Sequence, residues 1–284
     1  AGARFSGQLA GGGIEVTLPG ADAVAVRALE PVSARGATVM LNGQELIRGA
    51  DFATDLTATW KAGTLAADVR QLTLSQGNIP LLTAAVAGDF TPGDKLRVSG
   101  RGTVSADFAA LARQPALAAQ LPLLRGRVSI KFDGVVADGT AGKIEITAQD
   151  LVAREGAVPL GAMVLTVEAA LDASHAGTVR NSLVVTRAGR RSDLLLDGKV
   201  GLKPGAVSFE GRITGDQLFA DDLQAFSALG APPPPTAAGV VKPAAVAPAP
   251  RPPAPAARPT GPARDPSPVW AGCTGRADMN IKTI

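Results

Sequence analysis

The chain has 284 residues, room for one or two ordinary domains, and 46% of them are apolar, enough to build a core. Aromatics are only 4% with no tyrosine, and there is one histidine and one cysteine, which excludes an internal disulfide and a multi-histidine metal centre. The net charge of +3 comes from scattered Arg and Lys rather than a basic run, so no nucleic-acid partner is expected.

Period-two alternation dominates the chain in order. "DLTATWKAG" (55–63), "TLAADVRQLTL" (64–74) and "KLRVSGRGTV" (95–104) alternate apolar and polar side chains, as a half-buried strand does. "SADFAALARQPALAAQLP" (105–122) predicts one or two short helices broken at Pro115. "GRVSIKFDG" then sets Val128, Ile130 and Phe132 against Arg127, Ser129, Lys131 and Asp133. "GKIEITAQ" sets Ile144 and Ile146 against Lys143, Glu145 and Thr147. After "SDLLLDGKVGL" (192–202), "AVSFEGRITG" places Val207, Phe209 and Ile213 opposite Ser208, Glu210, Arg212 and Thr214. Turn-rich segments such as "VVADGTAG", "TRAGRRSD" and "GLKPGA" separate these runs at a spacing of roughly 10 to 15 residues, which suits an antiparallel meander. A Gly followed by Arg or Lys recurs at Gly100, Gly126, Gly142, Gly198, Gly211 and Gly275, and reads as a strand entry or bulge with a solvated cation.

The pattern then changes. "DDLQAFSALG" (221–230) predicts a short helix capped by Asp221, with Leu223, Phe226 and Leu229 on one face and Gly230 as its stop. Residues 231–269 are rich in Pro and Ala and predict a disordered or polyproline-like insert, able to reach on the order of 100 Å at about 3.1 Å per residue. Alternation resumes at "GCTGRADMNIKTI". The organisation expected is a β region over 1–230, the insert over 231–269, and a continuation of the sheet over 270–284. The chain starts inside one apparent strand and stops inside another, as a piece of a longer protein would; no window of about 18 apolar residues and no signal peptide is visible.

Many strands with one apolar face need a cover, and two short helices cannot supply it. A two-sheet sandwich, a closed barrel and a trough filled by a guest all satisfy the pattern, and pattern alone favours the sandwich slightly. Small residues on the expected inner face (Ala58, Ala67, Ala148, Ala169, Ala277) leave room for an apolar filler.

Residues 211–284 carry a more specific signal. A strand leads into "GDQLFADDLQAF", with Asp216, Leu218, Asp221, Asp222 and Leu223. A Pro/Ala segment follows, and then "PVWAGCTGRADMNIKTI", with Trp270, Gly275, Ala277, Met279 and Ile281. This order resembles the AsmA family of bacterial envelope proteins, which includes TamB-type relatives, in the C-terminal part of its repetitive β region. "SGRGTVSADFAALARQ" resembles the same strand-to-helix unit more weakly. The resemblance implies a mostly β fold, an antiparallel meander curled into an elongated hydrophobic groove. It implies a periplasmic protein held in the inner membrane by a segment outside this chain and moving phospholipid or another acyl-chain lipid between inner and outer membrane in outer-membrane biogenesis. No enzymatic activity, cofactor or metal is implied. The residues expected to line the groove are Val128, Ile130, Phe132, Ile144, Ile146, Leu165, Val167, Val207, Phe209 and Ile213. The alternative is an extracellular β-rich adhesin or structural repeat protein with a self-filled core.

Sharper chemistry finds little support. His175 in "DASHAGT" reads as a solvated turn residue, and Cys273 as a small apolar side chain. Asp216, Asp221 and Asp222 as a glycosidase pair lack an aromatic sugar platform. Gly100 and Gly102 lead out of a strand with no Walker lysine behind them.

Overall fold

The computed structural model describes residues 3–93, 96–114, 125–152, 159–203, 206–222 and 273–283. Strands make up 83% of them. In chain order they are β1 (Ala3–Gly20), β2 (Ala23–Leu41), β3 (Gln44–Lys61), β4 (Thr64–Gln76), β5 (Ile79–Thr91), β6 (Arg97–Asp107), β7 (Arg125–Val136), β8 (Thr140–Val152), β9 (Ala162–Leu171), β10 (Ala176–Arg187), β11 (Arg190–Lys203), β12 (Ala206–Gln217) and β13 (Cys273–Thr283). A short helix, α1 (Phe108–Leu111), follows β6. The alternation is thus realised as one open sheet of 13 strands, each paired with its neighbour in sequence. The two-sheet arrangement that pattern alone favoured slightly is not formed by the described residues: all 13 strands belong to one sheet. Alternation fixes which side chains share a face but not whether that face meets a second sheet.

Eleven of the pairings from β1 to β12 are antiparallel, whereas β13 runs parallel to β12, with Val207 opposite Cys273 and Ile213 opposite Met279. The expected uniform meander is therefore corrected at its last step. Residues 218–272 make this possible, because a parallel partner needs a connection long enough to return to the rim where β12 began. The proposed insert 231–269, and most of the helix expected over 221–230, lie outside the described residues.

Helical structure is as sparse as the sequence implies. Asp107 caps α1 by accepting from Ala110 N at 3.1 Å. Ala110 and Leu111 pack against Ala50 and Leu81, while Phe108 packs against a second cluster of Ala148, Leu151, Leu160, Met163 and Val185. Beyond the helix, Gln114 is fully buried and its Oε1 accepts from Arg48 N of β3 at 2.8 Å. This short segment therefore ties together the ends of strands far apart in sequence. Both clusters lie at the same rim of the sheet, where β3, β5, β7, β9 and β11 begin.

At that rim the chain after β12 also folds back. Leu218 N donates to Thr283 O at 3.0 Å, Phe219 N donates to Ser192 Oγ at 3.0 Å, and Ser192 Oγ donates to Asp222 Oδ2 at 2.6 Å. Arg187 Nε lies 3.3 Å from Asp222 Oδ1, both side chains largely buried, and the Arg190 guanidinium stacks 4.4 Å over the Phe219 ring. Asp221, expected as a helix cap, lies inside the helical turn that starts at Ala220 and pairs with Arg187 at 3.5 Å and Arg190 at 3.6 Å. Two arginines on the β10–β11 hairpin offer it stronger partners than free amides. Asp222→Ala should remove about 2 kcal/mol from this corner, since it leaves Arg187 and Ser192 without their buried acceptor while Asp221 still pairs the arginine. Hydrogen exchange at the Leu218 and Phe219 amides, faster in the variant and unchanged on β5, measures it.

Candidate functional site: an uncovered apolar face

Cross-strand partners share a face, so the register assigns every side chain to one side of the sheet. One side carries, on β7, β8 and β9, the rows Val128–Ala148–Met163, Ile130–Ile146–Leu165 and Phe132–Ile144–Val167. It continues through Leu183, Leu194 and Leu196 to Val207, Phe209 and Ile213 of β12 and Met279 of β13. On the same side stand Val98, Val104, Val86, Phe90, Val69, Leu65, Phe52 and Trp60 of β3–β6, in register with the same rows. All ten residues expected to line a groove thus fall on one face. Alternation missed their neighbours on β10 and β11, because "LLL" at 194–196 breaks period two; Leu195 in fact sits on the opposite face, opposite Ser182 and Thr214.

The opposite face is charged. Lys143 and Glu168 stand directly across from each other and pair at 2.7 Å. Asp216 and Lys282 pair at 2.6 Å, a contact that holds the aspartate below and the lysine above its ordinary range, chiefly through their hydrogen bond. Two hollows open on this polar side, one of about 470 Å³ around Asp68, Asp89, Arg101 and Asp133 and one of about 670 Å³ around Asp197, Lys199, Glu210 and Arg212. Their walls suit water and ions rather than hydrocarbon.

Burial on the apolar face runs in a gradient. At the rim closed by α1 and residues 218–222, Ala148 is 1% exposed and Val185 is 1% exposed. At the far rim nothing among the described residues covers the apolar side chains: Trp60 is 39% exposed, Phe90 40%, Val98 37%, Val136 43% and Val207 37%, with Ile144 at 42% two rows in. The remaining eight groove candidates are half-buried. Large apolar side chains exposed in a line along several strands form a contiguous patch, the kind that marks a binding surface.

A row of small residues crosses this face. Ala58, Ala67, Gly88, Gly100, Gly134, Gly142, Ala169, Val179, Gly198, Gly211 and Ala277 are successive partners from β3 to β13. Four of the Gly-Arg/Lys glycines belong to it; Gly198 and Gly211 are mid-strand ladder positions, whereas Gly100 and Gly142 stand near the starts of β6 and β8, as strand entries do. Gly126 alone fits the bulge expectation, with φ +116° and a register shift beside it. The row exists because strands approach closely there. A Cβ on Gly198 would lie 2.5 Å from Glu210 O and 2.8 Å from both Gly211 Cα and the Phe209 ring. Phe209 therefore shields two glycines as well as presenting an apolar surface, and the Phe132 ring approaches Gly100 in the same way.

No reactive constellation accompanies this face. Among the described residues no cluster of His, Cys, Asp or Glu has metal-binding geometry, and no helix is long and apolar enough to cross a membrane. His175 sits in the β9–β10 turn at φ +59°, its N donating to Asp172 O at 2.9 Å. Comparison with protein-family models, with characterised proteins and with solved structures finds no match to this chain.

Proposed function

We propose that this chain is an AsmA-like envelope segment that binds lipid acyl chains on its apolar sheet face, without catalysis. The observation that carries this reading is the open, single-layered sheet whose apolar face is closed off at one rim and bare at the other. A self-filled adhesin core would need a second layer over the same residues, and the described residues supply none. A sheet of this length twists and coils, and with its apolar face inward it makes an elongated groove.

Acyl chains fit the chemistry of that face. Each CH₂ removed from water is worth about 0.8 kcal/mol, so shielding one tail offsets a cost well above 10 kcal/mol. Equivalent rows on successive strands let a tail shift from strand to strand between sites of similar affinity, which suits passage rather than storage. A polar head stays at the bare rim, where Lys61, Arg97 and Lys203 end their strands in solvent and attract phosphate weakly. Within this proposal the protein works in the periplasm, held to the inner membrane by a segment outside this chain, and carries phospholipid towards the outer membrane.

The test is lipid extraction and mass spectrometry of the purified chain. We expect co-purified diacyl phospholipid, replenished when stripped protein is incubated with phospholipid vesicles. Protein that is lipid-free as purified, and stays so after such incubation, would overturn the reading in favour of the adhesin.

A further inference from the structure

Across β8 to β13 one row of the polar face reads Lys143–Glu168–Arg180–Asp197–Arg212–Asp278, each side chain directly opposite the next and the sign of charge alternating at every step. Opposite charges facing across strands attract and like charges repel, so such a ladder helps to fix which strand lies beside which, and in what register. A second row, Lys199–Glu210–Arg276, alternates in the same way over β11 to β13. The two rows end on β13 with opposite signs, negative at Asp278 and positive at Arg276.

Both ends stand at an open edge. Among the described residues nothing pairs with the outer side of β13. The Arg276 and Asp278 side chains are 82% and 74% exposed and lie 3.6 Å apart along the strand. β13 pairs with β12 without a register shift, so its outer N–H and C=O groups form a regular template. Charges on an edge strand ordinarily discourage pairing, but these are self-complementary. In an antiparallel pair centred on Ala277, Arg276 faces the partner's Asp278 and Asp278 faces the partner's Arg276. The ladder then crosses the axis unbroken, from Arg212 and Asp278 into the partner's Arg276, the partner's Glu210 and the partner's Lys199.

The same register suits the apolar side. Odd-numbered residues meet odd-numbered ones, so the two apolar faces lie on one side of the joined sheet. Met279, 65% exposed, stands opposite the partner's Gly275, which has no side chain to obstruct it. The smallest slip that keeps the faces together is two residues. It sets Arg276 against the partner's Arg276, or Asp278 against the partner's Asp278. The other edge is a poorer template: β1 pairs irregularly around Gly11 and Gly13, and its Glu15 is already held by Arg27.

We infer that two copies of this chain associate edge to edge through β13, antiparallel about a two-fold axis at Ala277, into one sheet with a continuous apolar face. A two-fold interface needs a surface complementary to itself, and the order of charges on β13 supplies it. The inference is independent of what the apolar face binds.

Sedimentation of the whole chain and disulfide trapping test it together. Wild type is expected to sediment at the mass of two chains when concentrated and to dissociate on dilution. Asp278→Asn, which removes one charge from each of the two symmetric pairs, is expected to weaken the dimer about 3- to 10-fold. Ala277 and Asn280 are both exposed, so each tolerates cysteine. With Cys273→Ala removing the native thiol, Ala277→Cys is expected to form a disulfide-linked dimer about 10-fold faster than Asn280→Cys, because only residue 277 faces itself. A chain that stays monomeric, an Asp278→Asn variant that dimerises like wild type, or two cysteine variants that cross-link alike overturns the inference.

Discussion

Gly198→Val should destabilise the β10–β12 region by about 3–4 kcal/mol, enough to unravel it locally at physiological temperature. Gly198 has an ordinary strand backbone, so the cost is steric rather than conformational. The first added carbon meets Glu210 O at 2.5 Å and Gly211 Cα at 2.8 Å, and both are backbone atoms held by the β11–β12 ladder. They can retreat only by parting the strands, which breaks the hydrogen bonds between them. The Phe209 ring, 2.8 Å away, must also leave the glycines it covers. Gly201→Ala, three residues along the same strand, is the control. There the nearest atom is the Ser208 hydroxyl at 2.7 Å, the free end of a side chain that can rotate, so the cost stays below about 1 kcal/mol.

The damage should also stay local. Each strand packs mainly on its neighbours in sequence, so the sheet behaves as a one-dimensional array in which a fault spreads slowly. Amide exchange should accelerate on β10–β12 and remain slow on β3–β5. Uniform acceleration across the sheet would mean that it unfolds as one unit and that the stacking picture is wrong.

Ile144→Asp is the second large effect, on binding rather than on the fold. Ile144 is 42% exposed and sits between Phe132 and Val167 on the apolar face, so a carboxylate there keeps access to water and the sheet survives. A tail crossing it, however, must either desolvate the charge or give up contact over two or three CH₂ groups. That predicts diacyl phospholipid binding about 10- to 100-fold weaker, measured with a chain-labelled phospholipid. Thr147→Asp places the same charge on the opposite face of β8, opposite Ser129, and should leave binding unchanged. Equal loss in the two variants would implicate charge or stability rather than the apolar face.

These outcomes bear on how much of the molecule could be read from its residues. Val128, Ile130 and Phe132 alternate with Arg127, Ser129 and Lys131, and that alone determined that β7 exists and which side of it is apolar. A slip of one residue would turn every one of those side chains into water, so the hydrophobic pattern also went far to specify the register. The ten groove candidates share a face for this reason. Local cues likewise anticipated a short helix after Ser105 and a turn at His175.

What the residues left open were relations between distant segments. Gly198 and Gly211 look like strand entries until pairing aligns them with Gly100 and Gly142 in one row, because closeness of neighbouring backbones is a property of the ladder. Asp221 looks like a helix cap until Arg187 and Arg190 arrive from another hairpin and compete successfully for it, while Arg187 and Ser192 take Asp222. The same alternation serves a sandwich, a barrel or a single open sheet, since each buries an apolar face equally well from the strand's point of view. Only the assembled ladder decided among them. It placed 13 strands in one layer, reversed the direction of the last, and left a row of large apolar side chains facing water at one rim.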